Sequence, residues 1–113
     1  VKAMEILGFR IKRTSNEENP IYDVSFSDND ASIIAYSKRY ESDANPRKGF
    51  AAVMTCSHAD ENCPVVVGME KRISLPYDDP KDFDETPLEA DKYLERAREI
   101  GTEILYAFSQ VTV

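Results

Sequence analysis

Cysteine and histidine are nearly absent from this chain, with two Cys and one His in 113 residues. A disulfide scaffold needs more cysteines than that, and such sparse thiols fit a reducing cytosol. Long apolar runs are missing too. Stretches such as "FAAVM" and "VVV" are only a few residues long, against roughly 20 needed to span a bilayer. No segment joins a basic start to an apolar stretch, so no secretory signal is legible. An excess of positive charge is also lacking: 14 Lys and Arg against 21 Asp and Glu leave a net charge of −7. Non-specific nucleic-acid binding needs clustered cations to displace counterions from phosphates. Here the densest cluster is "RIKR" at 10–13. Neither nucleic acid nor membrane is expected as a partner.

What remains is enough for one folded domain. The hydrophobic fraction is 42%, and the length is near the common domain size. The chain begins with "VKAMEILGF", which reads as the second half of a helix ending at Gly8. The whole therefore looks cut from something longer. "FRIKR" alternates apolar and basic residues, as a half-buried strand does. "SNEENP" is a turn, and "IYDVSF" (21–26) and "SIIAYS" (32–37) form a hairpin across "SDND". Residues 38–49 are a solvated loop.

"FAAVMT" (50–55) is apolar without alternation, which predicts a strand covered on both faces, as in a parallel sheet packed by helices. "KRISLPY" (71–77) is a second strand. Thr86, Pro87 and Glu89 occupy the N-cap, N1 and N3 positions of a capping box. Behind them Leu88, Leu94, Ala97, Ile100, Gly101, Ile104, Leu105, Phe108 and Val111 form one apolar stripe on a helix of about six turns. Glu95 and Arg98 are spaced to pair on its wet face. The order of elements makes the fold α/β.

In open α/β sheets, ligands gather beyond the carboxyl ends of parallel strands. Two such ends are readable: "FAAVMT" running into Cys56, and "KRISLPY" running into Asp78, Asp79 and Pro80. Both cysteines and the one histidine, His58, fall in "MTCSHADENCP", residues 54–64. On one continuous helix, Cys56 and Cys63 would have Cα atoms about 10.5 Å apart. A disulfide requires roughly 7 Å or less, so a bond between them needs the segment to loop out. Such a pair makes a poor staple and a serviceable switch. Two inert core thiols fit the spacing equally well. A zinc site would want four ligands at standard spacing, and Cys56, His58 and Cys63 supply three at another. No metal and no cofactor are expected. Asp79 before Pro80 reads as a turn initiator, or as a general acid near a leaving oxygen.

"VMTCSHADENCPVV", followed by a strand and then "YDDP" and a long helix, resembles the thioredoxin-coupled arsenate reductases. Those enzymes share the low-molecular-weight protein tyrosine phosphatase fold. The similarity covers residues 50–111, and the Cys-to-Cys segment is its specific part. It implies a three-layer sandwich with a mainly parallel sheet, to which residues 20–49 add a hairpin. It implies Cys56 and Cys63 as a redox pair and Asp79 as the general acid. The substrate would be arsenate or a phosphate-like oxyanion, the reductant thioredoxin or a similar protein, and the compartment the cytoplasm. In the family a separate cysteine, on a Cys-x5-Arg loop after the first strand, attacks arsenate. Cys56 would then attack the arseno-thiol and Cys63 would resolve the disulfide. That loop is not matched here: six positions beyond Cys56 is Asn62, and beyond Cys63 is Met69. The expectation is therefore a C-terminal portion of a longer enzyme, without its N-terminal strand and loop and without arsenate turnover by itself. A tyrosine phosphatase using Asp79 as acid, and a non-catalytic thiol module that docks thioredoxin-like partners, are the alternatives.

Overall fold

The computed structural model describes residues 1–55 and 65–112. Cys56, His58 and Cys63, and every expectation attached to them, lie outside the described residues. The chain divides into two compact units, one formed by Val1–Tyr36 with Pro80–Val113 and the other by Ser37–Asp79.

The first unit opens with helix α1 (Lys2–Ile6). Gly8 ends it with φ 97°, a left-handed conformation that costs glycine little. The Gly8 N–H donates to the Glu5 carbonyl at 3.0 Å and the Phe9 N–H to the Met4 carbonyl at 3.1 Å. This is a Schellman closure, and it satisfies carbonyls that the helix end would leave bare. Strands β1 (Arg10–Arg13), β2 (Tyr22–Ser25) and β3 (Ile33–Ala35) follow as an antiparallel meander in that order.

The register pairs Ile11 with Val24 and Val24 with Ile33, and Tyr22 with Ala35. Because side chains alternate along a strand, these residues share one face. With Val1, Met4 and Phe9 they line an apolar groove of about 410 Å³. The "SDND" connector between β2 and β3 is held from outside. The Arg10 guanidinium lies 2.8 Å from the Asp28 carboxylate and donates to the Ser27 carbonyl at 3.0 Å.

A 3₁₀ turn (Pro80–Phe83) leads into helix α2 (Glu89–Ser109). The expected capping box does not form: the helix starts two residues later, with Leu88 at the N-cap and no side-chain cap bond, and Thr86 and Glu89 instead brace the turn that precedes it. The Thr86 hydroxyl accepts from the Leu88 N–H at 3.3 Å. The Glu89 carboxylate reaches back to the Glu85 N–H at 2.8 Å, one residue earlier than a standard box. Glu85 sits at φ 61°, and this left-handed step moves its N–H to the carboxylate.

On the wet face of α2, the expected Glu95–Arg98 pair gives way to two others. Glu95 accepts from Lys92 at 2.9 Å, and Arg96 pairs with Glu99. Both pairs are i, i+3 neighbours on one helix face, the spacing that brings side chains together. Lys92 also lies over the Phe83 ring, 5.4 Å from its centre, tying the 3₁₀ turn to the helix. The apolar stripe is covered only in part. Leu94, Ala97, Ile100 and Ile104 are half-buried, whereas Leu105, Phe108 and Val111 are exposed.

The second unit is built on strands β4 (Phe50–Met54) and β5 (Met69–Ser74), which pair in parallel from Ala51↔Lys71 to Met54↔Ser74. A parallel pair needs a long connection between its strands, and β4 ends at Met54 while β5 begins at Met69. Gly68, at φ 90°, passes so close to the Arg47 carbonyl that a Cβ there would collide with it. Residues 38–49 are turns, as expected, with the Asn45 side chain donating to the carbonyls of Arg39 (2.9 Å) and Tyr40 (3.2 Å).

β4 is not covered on both faces. Ala52 is buried, but Val53 is 41% exposed. No helix among the described residues of this unit lies over the pair. The described residues thus form a small α/β fold with two helices, a parallel strand pair and an antiparallel triplet. Among them, parallel pairing is confined to β4 and β5.

Candidate functional site

The carboxyl ends of β4 and β5 finish level. Beyond the last paired residues, the Leu75 N–H donates to the Met54 carbonyl at 2.9 Å and the Tyr77 N–H to the Thr55 carbonyl at 3.3 Å. Thr55 is the last described residue before Cys56, and Tyr77 is the last before Asp78 and Asp79. One edge of the parallel pair therefore carries both the point where the cysteine segment leaves and the start of the Asp-Asp-Pro stretch. The sequence pattern placed two strand ends there, and the hydrogen-bond ladder joins them.

Tyr77 is 8% exposed and, with Ala52, is one of two buried hydrophobic side chains among the described residues. Both belong to the β4–β5 region. In the sequence Tyr77 reads only as the end of a strand. The neighbouring residues, Pro76 before it and two carboxylates and a proline after it, form no periodic pattern that marks its burial. Asp78 and Asp79 are exposed. Pro80 opens the 3₁₀ turn, so the turn-forming reading of Asp-Pro holds alongside any chemical role.

Thr55 and residues 75–79 include two carboxylates and no cation. This edge can donate or accept protons, but by itself it offers an anion no positive charge. Among the described residues, no group of three His, Cys, Asp or Glu is arranged to hold a metal ion. Among them also, no helix is long and apolar enough to cross a membrane. A cleft of about 760 Å³ in the first unit is lined by Lys2, Asp84, Glu85, Thr86, Glu89 and Tyr93, among others. None of the expected site residues is in it.

The fold and this edge define an α/β protein with an acidic loop at the end of a parallel strand pair. Compared with protein-family models, with curated proteins and with solved structures, the chain matches none.

Proposed function

We propose that this chain carries the redox half of a thioredoxin-coupled arsenate reductase. In this reading Cys56 and Cys63 are the disulfide-forming pair and Asp79 is the general acid. Arsenate bound covalently to a third cysteine, on a Cys-x5-Arg loop outside these residues, is the species on which Cys56 acts. The Cys56 thiolate attacks that cysteine's sulfur, the sulfur–arsenic bond breaks, and its electron pair leaves with arsenic as arsenite. Arsenic gains two electrons and the two thiols become a disulfide. Cys63 then attacks the Cys56 sulfur, frees the first cysteine and leaves a Cys56–Cys63 disulfide. A dithiol such as thioredoxin reduces it. Asp79 supplies a proton to the oxygen that departs when the first cysteine attacks arsenate.

The observation that carries this reading is the level ending of β4 and β5, where the Tyr77 N–H meets the Thr55 carbonyl. It brings the chain's exit toward Cys56 and the start of the Asp78–Asp79 loop to one sheet edge, where such a cascade needs them. The two helices and the parallel pair suit the low-molecular-weight phosphatase type of three-layer sandwich, which is part of the proposal.

The coding sequence upstream of Val1 is the first test. A Cys-x5-Arg loop after a strand supports the enzyme, and an initiator Met with no such loop overturns it. In the protein that contains the loop, arsenate-dependent NADPH oxidation through thioredoxin should vanish in Cys63→Ser. Unchanged turnover in that variant refutes the redox pair. Phosphate-ester hydrolysis that survives Cys56→Ser and Cys63→Ser, with no arsenate reduction in the parent, would make the chain part of a phosphatase.

A further inference from the structure

We propose that Tyr77 is a positioning residue for Asp79. The inference concerns the candidate site above, and its kinetic test rests on the thiol-cascade reading.

The last rung between β4 and β5, from Tyr77 N–H to Thr55 carbonyl, is 3.3 Å long, against 2.9 Å for the rung before it. A hydrogen bond at that length lies just beyond the usual N–H···O range, so the backbone ladder weakens at this end. The side chain supplies what the ladder does not. Tyr77 is buried while Pro76, Asp78 and Asp79 on either side of it are exposed. An aromatic ring is the largest apolar anchor a strand end can use.

On the far side of Asp79, Pro80 fixes its own φ and biases the residue before it toward extended conformations. Asp78 and Asp79 are thus strung between a buried ring and a rigid proline. Only two residues of freedom separate the anchors. Without the ring, the exposed Asp78–Asp79 segment would lose its buried anchor beside Thr55. A general acid displaced by about 1 Å loses on the order of 10²-fold in rate. Neither Tyr77 nor its hydroxyl has to touch a substrate for this effect.

The experiment uses the full-length protein with Tyr77→Phe, Tyr77→Leu and Tyr77→Ala. The Leu variant keeps an apolar group where the Ala variant fails to fold. Hydrogen exchange followed by mass spectrometry should show residues 75–79 exchanging about tenfold faster in the Leu or Ala variant, with 89–109 unchanged. Tyr77→Phe, which keeps the ring, should lie closer to the parent than to Tyr77→Leu. Equal acceleration of both segments, or none at 75–79, overturns the proposal, because Tyr77 would then be a general stabiliser or inert.

In thioredoxin-coupled turnover, Tyr77→Leu should lower kcat about 10-fold or more with KM unchanged. Combined with Asp79→Asn it should cost nothing beyond Asp79→Asn alone. Fully additive losses overturn the positioning role. Absence of turnover in the parent sinks the arsenate reductase reading and leaves the exchange experiment to decide the role of Tyr77.

Discussion

The backbone N–H of Leu75 donates to the carbonyl of Met54 at 2.9 Å, one residue past the last register pair of β4 and β5. Two strands far apart in the chain therefore end at the same height. Everything proposed for Asp79 depends on that alignment. If Asp79 is the general acid, Asp79→Asn should lower thioredoxin-coupled kcat by about 10²-fold or more. Asp78→Asn, at the adjacent exposed position, should change it far less. Single-turnover arsenate reduction distinguishes them, and equal losses in both variants would assign the effect to loop charge instead of to one acid.

Gly68 should be irreplaceable where Gly49 is not. Both have positive φ, 90° and 74°. A Cβ at Gly68 would strike the Arg47 carbonyl, whereas one at Gly49 would enter open space. Gly49→Ala should cost about 1 kcal/mol from the left-handed backbone alone. Gly68→Ala should cost clearly more, because the loop must also move off the start of β5. Urea unfolding monitored by circular dichroism measures both, and equal costs would show that the Arg47 approach relaxes freely.

Local chemistry explains which parts of this fold were legible in the sequence. Gly8, the alternation in "FRIKR", the "SDND" connector and Thr86 each act within a few residues, and helix and strand limits fell close to their signals. Coverage is a longer-range property, and there the reading departed from the structure. "FAAVMT" is apolar throughout, but β4 is paired along one edge and leaves Val53 exposed. The partner of Glu95 was missed because Lys92 and Arg98 both stand three positions from it, and spacing does not choose between them. At the candidate site, the adjacency of the two strand ends was legible because parallel strands bring their carboxyl ends together. Tyr77 was not, since burial of one ring among exposed neighbours leaves no periodic trace. The thiol assignment rests on resemblance to a family and lies outside the described residues.

The start of α2 offers two substitutions of opposite sign. Thr86→Ala removes the hydroxyl that accepts from Leu88 N–H at 3.3 Å and donates to the Phe83 carbonyl at 2.6 Å. Losing both turn bonds should cost about 1 kcal/mol, and Thr86→Ser, which keeps the hydroxyl, much less. Glu85→Gly should raise stability by up to about 1 kcal/mol, because φ 61° is unfavourable for any residue with a Cβ. Its N–H, which bonds Glu89, is untouched. Thermal unfolding tests both, and a destabilised Glu85→Gly would show that the glutamate side chain itself contributes to the turn.

Glu95 makes the acid response of α2 predictable in sign. Its carboxyl is held below the ordinary value of 4.5, first by the hydrogen bond from Lys92, then by the charge of Lys92 and of Arg96. The folded helix therefore holds the Glu95 proton less tightly than the unfolded chain does. The resulting stabilisation is complete above the ordinary value and is lost as pH falls through the lower folded one. Because the pair is exposed, the effect is small and screened by salt. Glu95→Gln should flatten the fall in melting temperature across that window, and Lys92→Met should flatten it to a similar degree. In 1 M NaCl the parent and both variants should converge. Parent and variant curves of equal slope at low salt would mean that the Lys92–Glu95 contact contributes nothing to folding in solution.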